Sequence, residues 1–517
     1  MELIKKNIHM DHCQELAYTQ ISLEEDQNIS DQKPDALRVI CKKADVRIAE
    51  TKVSDDSVLI KGTLEYQVLY LTDEAEKRLC GMSGEIPFEE KIYTNKSCIY
   101  DEVRVAARAE DVTIRLINSR KINIRCIVAA SVLCDALYDE EVVTDVENPA
   151  ACEILKKTLA VTSIALDTRD IFRIKDEFSV PDGYPNIYAL LWKNIRFDGL
   201  EFVPMDGRIG IRGEWTAFFI YEGEEEESEP RCFEMSRTID GYLEVPECRD
   251  NMILRVDWEP EQEQVEVRSD YDGEERLIGL DMELKLFIKL YGNEELSVVV
   301  DAYGLQEMLE PVMKEGTYRH IIKNDCGKIK LSDTCDNSGE AEQITHILHA
   351  DACIVDEKNA VTENEISMMG VVHMELLCKT EEPNEPYRCI VLDLPYKQIV
   401  SVMQLTKDSP YCVKMCIEQV HAGIQGDKIE VRVLLDYCLI AYCQTMEPML
   451  VGMEKVTENG QDKSLPVMSV YFAKENEALW NIGKKYRVSL NDIKEINQIN
   501  ADVLNGGERI LIAKEML

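Results

Sequence analysis

One pattern recurs three times along this chain and constrains its fold more than any other feature. Apolar residues fall on alternate positions around a glycine. In the first copy Val58, Ile60, Gly62, Leu64, Tyr66, Val68 and Tyr70 share one face, while Lys61, Thr63, Glu65 and Gln67 share the other. The second copy sets Ile209, Ile211, Gly213, Trp215, Ala217, Phe219 and Tyr221 in the same register, and the third sets Ile366, Met368, Gly370, Val372, Met374, Leu376 and Cys378. Successive side chains of a strand point to opposite faces, so period two predicts strands. A glycine inside a strand marks a bulge or a close backbone approach, and its return at one register position argues for a shared geometry.

Two shorter apolar segments precede each glycine: Leu37–Ile40 with Val46–Ile48, Ile187–Leu191 with Ile195–Phe197, and Ile344–Leu348 with Ala352–Ile354. Further strand-like runs follow, ending at Asn123–Leu133, Gly279–Leu290 and Lys428–Ala441. Short strands separated by turn signals, without long helical crossovers, predict antiparallel sheets. The expected fold is mainly β, with three repeated antiparallel β-sandwich or open-barrel-like domains over residues 1–150, 151–315 and 316–450. Apolar spacing suggests connecting helices at Asn148–Thr158 and Leu305–Lys314. Gly223 with Glu224–Glu227 reads as a solvated hairpin end. Residues 451–467, containing the polar run Thr457–Asp462 with its Asn459-Gly460 turn signal, read as a linker to residues 468–517.

A chain of 517 residues exceeds the roughly 250–300 at which single cores stop growing. The division into domains therefore follows from length as well as from the repeat. The formal charge of −40 repels phosphate backbones and anionic lipid surfaces, which disfavours nucleic acid as a partner. Neither a secretory leader nor a run of about 20 apolar residues is visible, so neither export nor membrane insertion is expected. The 18 cysteines are scattered singly, and without export they read first as reduced core residues. Some exposed ones could cross-link neighbours in an assembled shell.

The last fifty residues differ from the rest. A strand at Val470–Lys474 precedes Asn476, which suits an N-cap, and Glu477, which suits the positive end of a helix dipole. Leu479, Ile482 and Tyr486 then fall at helical spacing. A second helix begins at Ser489, with Asp492 three residues on, and a strand at Arg509–Ala513 closes the segment. Tyr471, Leu479-Trp480, Ile482, Lys485-Tyr486, Val488, Ile493, Asn497, Ile499, Leu504, Gly507, Ile510 and Ile512 give this segment its likeness: it resembles the LysM domain along its whole length. The resemblance implies a small βααβ fold that commonly binds N-acetylglucosamine-containing glycans through the loops before the first helix and the last strand. Where glycan-binding relatives carry Gly-Asp-Thr, this chain has Asn476-Glu477-Ala478, which removes a glycine and a hydroxyl.

The three upstream units resemble SPOCS domains of endospore-forming bacteria through the strand-glycine pattern and lead-ins such as Phe178-Ser179-Val180-Pro181-Asp182. Their order with one terminal LysM domain resembles SipL-type spore coat morphogenetic proteins. That likeness implies a scaffold which binds a SpoIVA-like coat-basement ATPase in the mother-cell cytoplasm, at the forespore surface. A glycan-binding protein of spore cortex or cell wall is the alternative. Asn476, Glu477, Ala478, Trp480, Asn505 and Gly506 are the candidate partner-binding residues. Trp480 follows core Leu479 by about 100° around the helix, a flank position from which a tryptophan can anchor an interface. The β-array would supply spacing, self-association or a second docking surface.

No catalytic signature appears: the chain lacks a phosphate loop, a His-Glu-x-x-His helix and a Gly-x-Ser-x-Gly elbow. Among seven histidines, His346 and His349 lie near Cys353, but a strand sends these two histidines to opposite faces. His9, His12 and Cys13 form no convincing metal site. Cys412 and Cys416, four apart in a strand, are too distant to share an ion and read as core thiols. No cofactor, metal or catalytic residue is expected.

Overall fold

The computed structural model describes the chain except residues 1, 75–76, 95–101, 148–151, 225–228, 306, 338–342, 456–467 and 514–517. The first unit comprises β1 (Leu3–Asn28), β2 (Ala36–Ser54), β3 (Ser57–Thr72), β4 (Leu79–Tyr93), β5 (Glu102–Asn118) and β6 (Lys121–Val146). They form two antiparallel sheets, β1-β6-β5 and β2-β3-β4. The alternation read from the sequence decides which faces meet. Val58, Ile60, Leu64, Tyr66 and Val68 of β3 pack in one core with Ile122, Ile124, Cys126, Val128 and Ala130 of β6. Each such aliphatic side chain contributes about 1.5–3 kcal/mol when fully buried.

The second unit repeats this plan with β7 (Cys152–Ser179), β8 (Ile187–Met205), β9 (Arg208–Gly223), β10 (Arg231–Glu244), β11 (Ile253–Ser269) and β12 (Glu275–Gly304). The third does so with β13 (Leu309–Asp336), β14 (Ile344–Thr362), β15 (Glu365–Thr380), β16 (Tyr387–Ser401), β17 (Tyr411–Gln425) and β18 (Lys428–Lys455). Their sheets are β7-β12-β11 with β8-β9-β10, and β13-β18-β17 with β14-β15-β16, each pair enclosing its own core. The repeat glycines mark close approaches. A Cβ on Gly62 would lie 2.6 Å from the Phe88 ring, and one on Gly370 would lie 2.6 Å from the Tyr396 hydroxyl.

Several expectations need correction. The two connecting helices are not found among the described residues: residues 152–158 belong to β7 and residues 309–314 to β13, while residues 148–151 and 306 lie outside the described residues. Both strands cross ladder bulges, opposite Val299/Asp301 and at Val312/Met313. Across the first of these the inward positions of β7 change from even (Cys152 buried, Ile154 partly buried) to odd (Leu159 and Val161 buried), which breaks period two. The paired segments upstream of each glycine are single long strands for the same reason: β2, β8 and β14 each carry three register shifts. Residues 451–455, expected as linker, end β18; the rest of that linker, residues 456–467, lies outside the described residues, as do Glu225–Glu227.

The units are joined at two seams. The paired ends of β1 and β6, β7 and β12, and β13 and β18 form arms that pack together. Ile8, Met10 and Val142 of the first arm meet Leu159, Val161, Leu296 and Val298 of the second and Tyr318 and Met449 of the third. Nearby, Val143, Val299 and Leu450 share a cluster, each beside a bulge of its own arm. At the second seam Leu69, Ile220 and Leu377 are buried together with Trp192, Phe218 and Tyr387. Each of those first three lies seven positions past its repeat glycine, on the face that begins polar. The three units thus contribute corresponding residues to each junction.

Candidate functional site: the terminal module and its mount

The C-terminal module comprises β19 (Met468–Phe472), β20 (Glu477–Ala478), α1 (Leu479–Tyr486), α2 (Leu490–Asn497), β21 (Val503–Leu504) and β22 (Arg509–Ala513). Strand β19 pairs antiparallel with β22, and β20 with β21. Leu479, Ile482, Val488, Ile493, Leu504, Ile510 and Ile512 fill its core. Ser489 caps α2 by accepting the Asn491 N–H at 3.2 Å. Asn497 ties α2 to β22, its amide donating to the Leu511 carbonyl at 2.7 Å and accepting the Leu511 N–H at 2.6 Å.

Asn476 is not the cap of α1. That place falls to Ala478, which offers no side-chain acceptor, because Glu477 and Ala478 are paired with Leu504 and Val503. Asn476 occupies the left-handed region at φ 60° in the preceding turn. The Glu477 carboxylate accepts the Lys474 N–H at 2.8 Å and the Tyr471 hydroxyl at 2.9 Å. These two donors hold its carboxyl below the usual glutamate range. The neighbouring loop closes on it: Gly507 N–H donates to the Ala473 carbonyl at 2.9 Å, and a Cβ on Gly506 would lie 3.3 Å from Glu475 Cα. Asn476, Asn505 and Gly506 are exposed, and Glu477 and Ala478 half-buried, in these adjoining loops.

Trp480 lies elsewhere, on the face of α1 that meets the second arm, and is 8% exposed. Its ring stands edge-on to Tyr303 of β12 at 4.9 Å between centroids. Its indole N–H donates to Asp301 Oδ2 at 2.8 Å, and Lys484 reaches both oxygens of that carboxylate at 2.6 and 2.7 Å. The Tyr303 hydroxyl donates to the Val488 carbonyl at 2.9 Å, and burial pushes this phenol up. A Cβ on Gly483 would sit 2.5 Å from that hydroxyl, so the close fit requires the glycine. Glu153 of β7 accepts the Leu490 N–H at 3.1 Å, at the start of α2. Sequence reasoning missed Asp301, Tyr303, Glu153 and Lys484 because nothing in a local sequence pattern announces a partner so distant in the chain: 179 residues for Asp301 and Trp480, 337 for Glu153 and Leu490.

Away from this mount, the outer face of β19 exposes Met468, Val470 and Phe472, with Leu511 of β22 opposite Val470. The module carries seven basic and seven acidic side chains between Met468 and Leu517, so the whole formal charge of −40 resides on the residues that precede it.

The other features weighed from the sequence are structural. His349 stacks on Phe218 at 4.0 Å and hydrogen-bonds Asn194 at 3.0 Å, at the seam of the second and third units. Cys412 and Cys416 are half-buried, but on the sheet face opposite Val413, Met415 and Ile417, which pack on the core; they are therefore not core thiols. Among the described residues no group of three or more histidine, cysteine or acidic side chains is arranged to hold a metal. A cleft of about 740 Å³ opens between β7 and β10. Its basic rim residues are paired: Arg237 with Asp176 at 3.1 Å, Lys175 with Asp281 at 2.5 Å, and Arg173 with Glu283.

Three β-sandwich units joined into one array, with a neutral βααβ module mounted on an arm, define a multidomain, mainly β protein. The comparisons agree: residues 35–117 match the model of the SipL, SPOCS domain, and residues 473–513 match that of the LysM domain. This is the SipL-type architecture, that of a sporulation coat-associated protein with a LysM module. No curated protein and no solved structure matches the chain. Among the described residues no helix is long and apolar enough to cross a membrane.

Proposed function

We propose that this chain is a non-enzymatic scaffold of endospore coat assembly, which presents its LysM module to a coat morphogenetic protein, a SpoIVA-like ATPase, at the forespore surface. The observation that carries this reading is the mount: Trp480 and Lys484 fix the module on Asp301 and Tyr303. The Asn476 and Asn505 loops and the Val470–Phe472 face remain open to solvent. A rigidly held surface loses less freedom on binding than a tethered one. Its neutrality also lets a partner approach against less of the array's field. In this reading Trp480 orients the recognition surface, and the loops and outer strand make the contact.

The test is capture of a purified SpoIVA-type ATPase by the full chain. Phe472→Glu combined with Asn505→Arg is expected to weaken capture at least tenfold while leaving the fold intact by circular dichroism. Unchanged capture would refute the assignment of the surface.

The second reading, glycan binding, draws on the adjoining loops that LysM domains use for sugars. It predicts retention of the full chain on purified peptidoglycan, released by soluble N-acetylglucosamine oligomers. The Glu477 carboxylate, already engaged by Tyr471 and Lys474, and Ala478 in place of a hydroxyl both favour the protein partner.

A further inference from the structure

The outer face of the β13-β18-β17 sheet carries an arrangement of thiols that the scaffold role does not use. Cys326 of β13 stands directly opposite Cys438 of β18 in the antiparallel ladder. Both point away from the core, since Ile329, Leu435 and Leu439 fill the inner face, and both thiols are exposed. Residues directly opposed in such a ladder have Cα atoms about 4.5–5.5 Å apart, within the roughly 4.4–6.8 Å that a disulfide spans. On the other side of Cys438 the ladder places Lys414 of β17. Cys416, paired with Asp436, is the next thiol on that face and is half-buried.

We propose that Cys326 and Cys438 form an oxidant-responsive dithiol, which a peroxide-class oxidant converts into an intrachain cross-strand disulfide. In the first step the Cys326 thiolate attacks a peroxide oxygen. The O–O bond breaks, a sulfenic acid forms, and the departing oxygen leaves as water after taking up protons. In the second, the Cys438 sulfur attacks the sulfenic sulfur; the S–S bond forms, the S–O bond breaks, and a second water leaves. Two thiols lose two electrons and two protons, and one peroxide is reduced to two waters.

The order of attack follows from the surroundings. The Cys438 thiol donates toward Cys326 and holds it below the usual thiol range, while Cys438 itself is pushed up. A second neighbouring pair offers an internal contrast. Cys41 of the first unit lies beside Cys389 of the third, and that neighbour together with burial drives the Cys41 thiol well up. With Cys41 buried and its thiol pushed up, that pair should be bypassed.

The experiment treats the reduced full chain with hydrogen peroxide and follows intact mass, then maps cross-linked peptides without reductant. The expected result is loss of two hydrogens per chain, one linkage joining Cys326 to Cys438, and complete reversal by a dithiol reductant. Cys438→Ser should leave a sulfenic acid at Cys326 that dimedone traps, and Cys326→Ser should abolish fast oxidation. Mapping in the unaltered chain does not depend on how the variants fold. Linkage of Cys41 to Cys389, of Cys416 to either partner, or between chains would overturn the proposal, as would absence of any linkage under conditions that oxidise a reference dithiol.

Discussion

The indole N–H of Trp480 donates to the carboxylate of Asp301 at 2.8 Å, across the boundary between the terminal module and the second β-unit. Lys484 shares that carboxylate, and Tyr303 packs against the ring. Hydrogen bonds to a charged group contribute about 1.5–3 kcal/mol, and an aromatic pair about 0.5–1.5. Trp480→Ala in the full chain should therefore weaken docking by about 2–4 kcal/mol. The module itself should stay folded, because Trp480 lies outside its buried core cluster. Leu490 reports docking directly, since its N–H is bonded to Glu153. Its amide should exchange at least tenfold faster in the variant while that of Ile493 holds. Equal protection of both would mean that Trp480 does not hold the mount.

The seam of Leu69, Ile220 and Leu377 makes the three sandwiches interdependent. Truncating a buried leucine costs about 2–5 kcal/mol. Because Leu69 and Leu377 share one cluster while belonging to different units, their effects should couple. Leu69→Ala and Leu377→Ala together are expected to differ from the sum of the singles by more than about 0.5 kcal/mol in urea denaturation. Strict additivity would indicate that the units unfold independently.

What was readable in advance follows from where the partner of each residue lies. Val58, Ile60 and Leu64 are fully buried, as the alternation requires, because that face meets its own unit's second sheet. Leu69 in the same strand could not be placed, since the cluster that buries it draws on two other units as well as its own. The arms escaped for a related reason. Bulges shift the parity of buried positions, so residues 152–158 offer helix-like spacing while lying in a strand. In the module, Ser489 was legible as a cap, whereas Asn476 was not legible as a turn residue, because the pairing of Glu477 with Leu504 decides where α1 begins.

Lys289 of β12 is the most buried charge at the junction of the first two units. Its ammonium meets Asp11 and Asp135 at 3.0 Å and Asp167 at 3.6 Å. Burial alone would lower its pKa, but these three carboxylates outweigh that and raise it above the ordinary lysine value. A folded pKa above the unfolded one gives stability that is complete below about pH 10.4 and is lost as pH rises through the folded value. Lys289→Met leaves three carboxylates facing one another and should cost about 3–5 kcal/mol at neutral pH. Thermal unfolding between pH 7 and 11 provides the check: the gap between variant and parent should narrow only at the alkaline end. A gap that stays undiminished up to pH 11 would disprove the assignment.

Asp257 of β11 gives the opposite dependence at a point where all three units meet. Its carboxylate faces Arg255 of its own strand at 2.9 Å and Arg104 of the first unit at 3.6 Å, with Lys414 of the third unit nearby. Burial pushes the carboxyl up, yet Arg255, Lys414 and Arg104 together bring it below the usual aspartate range. A depressed folded pKa yields stability that is present above about pH 3.9 and is lost as pH falls through the lower folded value. Asp257→Asn keeps the shape, removes the charge and takes one carboxylate away from Arg255 and Arg104. It should lower stability by about 1.5–3 kcal/mol at pH 7. Below the folded pKa the parent carboxyl is neutral as well, so urea midpoints of parent and variant should converge there. A difference that persists undiminished in acid would show that Asp257 acts through packing rather than charge.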